Sequence, residues 1–392
     1  MTAIEIPADS LFGTDNLPYG VFCPAADKRP RVGVRVADFV VDLSMILGDQ
    51  VFAEESLNPF MALGRSAWGN ARQRITDIVR AGRIAHDAIH SVDQVTMCLP
   101  FDVADYVDFY ASEHHATNIG KLFRPDSAPL LPNWKHLPVG YHGRAGTVVV
   151  SGTDIVRPCG QRRVRDAETP VFGPSVRLDI EAELGFVVGV GSQLGASIPA
   201  DHFAEHVFGV VVVNDWSARD LQAWEYVPLG PFLGKSFATS ISAWVVPLVA
   251  LETARIPTPP QNPAPLPYLR ETEAWGLDIE LIVAWNGEIV SRPPYGQMYW
   301  SPAQMLAHTT VNGASARTGD LYASGTVSGP EKQQRGAFIE LTWGGAEPVV
   351  IGGAERTFLE DGDEVVITAT APGANGRRIG FGEVRGKVVP TR

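Results

Sequence analysis

Acids stand at every second position in Leu178-Asp179-Ile180-Glu181-Ala182-Glu183-Leu184-Gly-Phe186, the sharpest chemical feature of the chain. Strict alternation predicts a strand with Leu178, Ile180, Ala182, Leu184 and Phe186 facing one way and the three carboxylates the other. Side chains two apart on a strand stand roughly 6.6 Å from each other, so ionised carboxylates there repel unless water screens them or a cation bridges them. Two readings fit: the wet face of an amphipathic strand, or part of a cation site. Asp215 weighs toward the second, because it ends the continuous apolar run Val210 to Val213 beside Trp216, where a buried strand would deliver an acid among aromatics. Hard cations need several oxygen ligands gathered from separate segments, and Glu181, Glu183 and Asp215 would supply the core of such a set.

The segment from Asp105 to Asn118 brings Asp108, Tyr110, His114 and His115 close together. Histidine takes a proton from water near neutral pH, so either imidazole could act as a general base. Arg124 follows. In Trp216 to Tyr226, helical spacing puts Arg219, Gln222 and Tyr226 on one face. Such donors suit an anionic substrate or an oxyanion, although an exposed polar helix face would look the same. Lys235 ends a loop bounded by Gly230 and Gly234 that lacks the spacing of a phosphate loop. His202-Phe-Ala-Glu205-His206 has the order of some zinc peptidase motifs, but only about two helical turns fit between Pro199 and Val210, too few for that site. Gly189-Val-Gly191 reads as a strand-end turn, and no Gly-x-Ser-x-Gly elbow occurs.

The elements that must position these groups are mostly strands. With 392 residues, 45% of them hydrophobic and 19% charged, the chain is long enough for two or three globular domains, and 39 glycines with 30 prolines favour a β-rich fold. Arg31 to Leu43 alternates like a half-buried hairpin, and residues 58 to 90 read as helical turns. A change to aromatic, His-bearing, strand-rich sequence after Cys98 divides the chain into 1–98 and 99–392. The proline-dense stretch from Thr253 to Pro267 reads as a surface excursion, with strand patterning resuming at Leu277 to Ala284. A formal charge of −12 without basic runs argues against nucleic-acid binding. The N-terminus does not read as a signal peptide and no apolar run is long enough to span a bilayer, so the expected location is the cytoplasm, with no membrane partner. Cys23, Cys98 and Cys159 are far apart in sequence and in no Cys-x-x-Cys arrangement, which indicates neither a disulfide framework nor a cysteine zinc site.

Taken together, these segments resemble the fumarylacetoacetase family from end to end. The resemblance rests on Asn16-Leu-Pro-Tyr-Gly-Val-Phe, Asp108-Phe-Tyr with His115-Ala-Thr-Asn, Leu131-Pro-Asn-Trp, Pro138-Val-Gly-Tyr-His-Gly-Arg, Asn214-Asp-Trp-Ser-Ala-Arg-Asp, Trp224 to Phe237, Ala323-Ser-Gly-Thr and Asp361-Gly-Asp-Glu-Val. The Asn-Asp-Trp-Ser-Ala-Arg-Asp core alone would indicate the wider superfamily of acylpyruvate hydrolases, hydratases and decarboxylases. The resemblance implies a mainly β chain, with a small SH3-like N-terminal barrel followed by a large mixed β-roll, assembled as a homodimer. It implies metal-dependent hydrolysis of the dianionic β-diketone 4-fumarylacetoacetate to fumarate and acetoacetate, the last step of tyrosine and phenylalanine catabolism. Calcium would be held by Asp108, Glu181, Glu183 and Asp215, leaving Asp179 as a neighbour, and magnesium by Asp215, Lys235 (through its carbonyl) and Thr239. Substrate contacts fall on Tyr110, Arg124, Tyr141, Gln222, Tyr226 and Thr326. His115 matches the base, Glu340 its orienting carboxylate, and Arg219, Gln222 and Lys235 the oxyanion donors. The alternative is a related acylpyruvate hydrolase or decarboxylase acting on another 2-oxo acid.

Overall fold

The alternating stretch after Pro30 folds as the hairpin its pattern predicts, and its two-residue turn places Ala37 at a φ of 50°, in the left-handed region tight hairpins use. In the computed structural model, which describes residues 1–25, 28–163 and 168–392, this hairpin is part of a five-stranded antiparallel sheet. Its strands are β1 (Tyr19–Pro24), β2 (Arg31–Val36), β3 (Phe39–Asp42), β4 (Ile89–Ser91) and β5 (Val95–Met97), in the order β4-β3-β2-β1-β5. The helical turns expected over residues 58 to 90 are a short helix at Asn58–Met61 and α1 (Arg65–Arg80), which buries Ala71, Ile75 and Val79 at helical spacing, but they end before Ile89, which begins β4. Pairing of β1 with β5 brings two of the sequence-distant cysteines together in space. Antiparallel registry brings Cys23 Sγ and Cys98 Sγ, 75 positions apart in sequence, to 3.4 Å as free thiols.

The central sheet contains β6 (Tyr106–Phe109), β7 (Gly140–His142), β8 (Val148–Val150), β9 (Ala182–Val188), β10 (Val207–Asp215), β11 (Thr239–Ile241) and β12 (Leu321–Ala323). Their order is β7-β6-β12-β9-β10-β11-β8, with Val246–Pro247 also paired to β10. Val187, Val211, Val213 and Leu321 pack with the N-terminal core, including Tyr19, Val34 and Ile75. Leu184, Phe186, Val210, Val212 and Tyr322 pack into a second core on the other side. A sheet covered on both faces explains the unbroken valine run, since no position in it meets water.

That burial also corrects the expected alternating strand. It is broken at Ile180 and Glu181, into Leu178–Asp179 and β9, and no wet face exists: Asp179, Glu181 and Glu183 are buried at 0%, 5% and 0% exposure. The alternation itself survives within β9, where Leu184 and Phe186 belong to one core and Val187 to the other.

A second sheet orders Glu288–Ser291, Glu280–Trp285, Glu364–Pro372, Arg378–Val389 and Ile155–Val156. The proline-dense stretch is largely exposed, and strands resume at Gly276–Leu277, as its composition suggests. The fold is thus mainly β, with curled sheets and mostly short helices between their strands. No helix among the described residues is long and apolar enough to cross a membrane.

Candidate active site

Sheet registry assembles the acids. Asp108 on β6 pairs with Ala323 on β12, which pairs with Gly185 on β9; Glu183 on β9 pairs with Val213 on β10, and Asp215 at the end of β10 pairs with Thr239 on β11. Glu181 joins them at the strand break, its carbonyl accepting from Asp215 N at 3.1 Å. One carboxylate oxygen from each of Asp108, Glu181, Glu183 and Asp215 lies within 4.8 Å of the others, all buried. Gly325 makes a close approach at φ 75°, where a Cβ would meet Phe109 O at 2.2 Å, and its N–H donates to Glu183 Oε2 at 3.1 Å.

Two cations stand against this group. Lys235 Nζ donates to Glu181 Oε2 and Asp215 Oδ2, each at 2.6 Å. Its loop is braced by Glu225 Oε1, which accepts from Phe232 N at 2.9 Å and Gly234 N at 2.7 Å. Arg219, which opens α3 (Arg219–Glu225), the helix labelled after α2 (Glu113–Phe123), reaches Glu181 Oε1 from Nη1 at 2.7 Å and Asp179 Oδ2 from Nε at 2.8 Å. The charges divide unevenly. Burial and the Asp215 carboxylate push Asp108 well above the usual carboxylate range, and burial with Asp108 does the same to Glu183. Burial also acts to raise Glu181, but Lys235 and Arg219 outweigh it and hold that carboxyl well below its ordinary value. Asp108 Oδ1 and Glu183 Oε1 are buried with no hydrogen-bond partner among the described residues. Orphaned, mutually repelling carboxylate oxygens form the donor set of a hard cation, so these residues fit a divalent metal.

A second constellation comes from helix ends. Ser112 caps α2, its Oγ accepting from His115 N at 3.2 Å, and this turn carries the imidazole. His115 Nδ1 lies 2.6 Å from Glu340 Oε2 on α4 (Phe338–Leu341), although the two are 225 positions apart in sequence. Glu340 also accepts from Asn118 Nδ2 at 2.8 Å and Ser328 Oγ at 2.9 Å. Burial works to raise the Glu340 carboxyl, but His115 and these hydrogen bonds lower it, which keeps it an acceptor that fixes the ring.

Both constellations open on one cavity of about 540 Å³, lined by Asp108, Tyr110, His115, Arg124, Tyr141, Glu181, Arg219, Gln222, Tyr226 and Lys235 among others. His114 is half-buried and outside that lining, so the choice between the two imidazoles falls to His115. Gln222 Oε1 accepts from Arg219 Nη1 at 3.1 Å, on the helix face the spacing predicts. Tyr141 OH donates to Asp215 Oδ2 at 3.3 Å. Asp215 and Thr239 line an adjoining cleft with Tyr141 and Lys235, and Thr239 Oγ1 donates to Asp215 Oδ1 at 2.7 Å. Thr326 is buried outside the cavity lining, its hydroxyl without a partner among the described residues. His202 and His206 form no metal group with the acids: His206 Nδ1 meets Val190 O at 2.7 Å and His202 pairs with Glu205 at 3.1 Å.

Sequence reasoning did not single out three groups. Asn118 stands three positions after His115 on the same helix face, a spacing that could have found it. Ser328 carries no sequence signal and Gly325 none beyond its place in Ala323-Ser-Gly-Thr, because only the close approach of their loop to Glu340 and Glu183 gives them a role.

Residues 105–389 match the Fumarylacetoacetate (FAA) hydrolase C-terminal family and residues 15–100 the Fumarylacetoacetase N-terminal family. The chain is 48% identical to the fumarylacetoacetase of Rattus norvegicus, covering 100% of this chain and 99% of that one. Among solved structures it resembles the fumarylacetoacetate hydrolase of Exiguobacterium antarcticum, at 18% identity and TM-score 0.59, covering 96% of this chain and 100% of the other. The maleylpyruvate hydrolase of Sphingobium sp. SYK-6, solved with manganese(II) and pyruvate, aligns at 14% identity and TM-score 0.53, over 96% and 100% of the chains.

Proposed function

The chain belongs to the fumarylacetoacetase family, and on that premise we propose that it hydrolyses the carbon–carbon bond of 4-fumarylacetoacetate to fumarate and acetoacetate. Identity at this level over the whole length sets aside the acylpyruvate alternative. The observation that carries the mechanism is a buried His115–Glu340 pair facing the same cavity as Arg219, Lys235 and the acid cluster.

His115, its Nδ1 committed to Glu340, keeps Nε2 for a proton from water, and the hydroxide so formed attacks the carbonyl next to the fumaryl group. Arg219, Gln222 and Lys235, which line the cavity together, donate to the tetrahedral oxyanion. Collapse breaks the C–C bond and expels acetoacetate as its enolate, which takes the proton back to become acetoacetate. Arg124 offers a cation to a substrate carboxylate, and Tyr110, Tyr141 and Tyr226 offer hydroxyls.

Asp108, Glu181, Glu183 and Asp215 would hold calcium, and Asp215, Thr239 and the Lys235 carbonyl would hold magnesium. All-oxygen ligation supports hard cations there. Held by these residues, a divalent ion would supply positive charge that polarises the diketone. We read the chain as two domains, 1–98 and 99–392, a division supported by two family matches, one ending at residue 100 and the other beginning at residue 105. Homodimer formation is supported by large apolar side chains left exposed near the cavity mouth, Leu229 at 95% and Phe232 at 66%. We place the protein in the cytoplasm.

Purified protein mixed with fumarylacetoacetate should abolish the ultraviolet band of the diketone while fumarate appears, and a chelator should suppress the reaction. Persistence of the band with folded, metal-replete protein would overturn the reading.

A further inference from the structure

Asp179 shares the alternating acidic run yet stands outside the four-carboxylate group, and its bonds lead elsewhere. The side chain is fully buried. Its Oδ1 accepts from Phe338 N at 2.7 Å and Ile180 N at 2.8 Å; its Oδ2 accepts from Arg219 Nε at 2.8 Å and Ile339 N at 3.0 Å. Phe338 and Ile339 are the first two residues of α4, which carries Glu340. A helix of four residues has no independent stability, and its N-terminal amides need outside acceptors. Here both acceptors are one carboxylate. Arg219 is held from two sides by acids two positions apart, Asp179 on Nε and Glu181 on Nη1, and the planar guanidinium is thereby fixed. Its Nη2, buried and without a partner among the described residues, is left as the donor for the cavity the residue lines.

We propose that Asp179 is a positioning residue that ties the oxyanion donor Arg219 to the helix bearing Glu340, setting the base and the anion-binding cation in one frame. The break in the strand at Ile180 and Glu181 is what permits this: Asp179 is bridged to Ser217 on a separate short ladder and turns toward α4, while Glu181 turns toward the metal-binding acids. The inference rests on the hydrolase reading above, because the frame matters only if His115 and Arg219 act on one substrate.

The test is Asp179→Asn, which keeps the shape but sets an amide donor against an N–H of Arg219 or α4 and removes the counter-charge of the guanidinium. Misplacement of both groups should lower kcat about 100-fold with little change in KM. The same substitution is then made in Glu340→Gln and in Arg219→Lys. Because Asp179 acts through those residues, its cost should shrink to about 10-fold or less in each background. Circular dichroism and a thermal melt establish that each variant is folded. Asp179→Glu, which keeps the charge but not the reach, replaces Asp179→Asn if the latter does not fold, with the same outcomes expected. A variant within about threefold of the parent, or one whose loss is equal in all three backgrounds, overturns the proposal. Failure of the parent protein to turn over fumarylacetoacetate overturns the hydrolase reading instead.

Discussion

The acid cluster and the His115–Glu340 pair face the same cavity but are built differently. Asp108, Glu183 and Asp215 sit on strands whose registry sets their spacing, in a sheet packed on both faces. His115 and Glu340 sit near helix ends, held by a Ser112 cap, by Asp179, and by single hydrogen bonds from Asn118 and Ser328. A ladder distributes the work of placement over many backbone bonds, whereas a capped helix end concentrates it in a few side chains. The His115–Glu340 pair should therefore be the more fragile half, and the cluster the more tolerant one.

The largest effect expected is at His115. His115→Ala should lower turnover by about 1,000-fold, within the range general-base removal gives, while divalent-ion binding measured by calorimetry is unchanged from the parent. Near-normal rates would remove His115 from the mechanism and with it the contrast between the two halves. Lys235→Met should cut kcat about 100-fold through loss of an oxyanion donor. It should also tighten divalent-ion binding, since the ammonium no longer competes for Glu181 and Asp215. Unchanged ion affinity would show that the ammonium does not stand in the cluster.

Glu340→Gln tests fragility through pH. The native carboxyl is held below its ordinary 4.5, so its stabilisation is fully present above that value and is lost as pH falls through the lowered one. The variant should melt earlier at neutral pH, by the equivalent of about 1–3 kcal/mol, and the gap should close only in acid below the ordinary value. A gap independent of pH would show that shape, not charge, matters there. The smallest effect belongs to Thr239→Val, which deletes one hydrogen bond to an Asp215 already placed by its ladder. A loss of about 1 kcal/mol in stability is expected from thermal melts. A loss several times larger would mean that the cluster, too, hangs on single contacts.

Much of the cluster was legible before any coordinates. Alternation marked Glu181 and Glu183, the end of a valine run marked Asp215, and helical spacing put Arg219 with Gln222. What alternation could not reveal is that both faces of that strand are covered, because period two reports which side chains share a face and not what lies opposite. The family resemblance, not spacing, supplied Glu340, since nothing in Phe338-Ile-Glu340-Leu marks an acid 225 positions away as the partner of His115.

Local pattern thus determined the strands, the helices, the main acids and the cation-bearing helix, because each depends on neighbours within a few residues. Tertiary structure decided which of two adjacent histidines faces the cavity, which acid binds a helix rather than joining the four-carboxylate group, and which cysteines meet. Those outcomes depend on strand registry and on loops closing over long separations, where contact between two residues is set by everything packed between them.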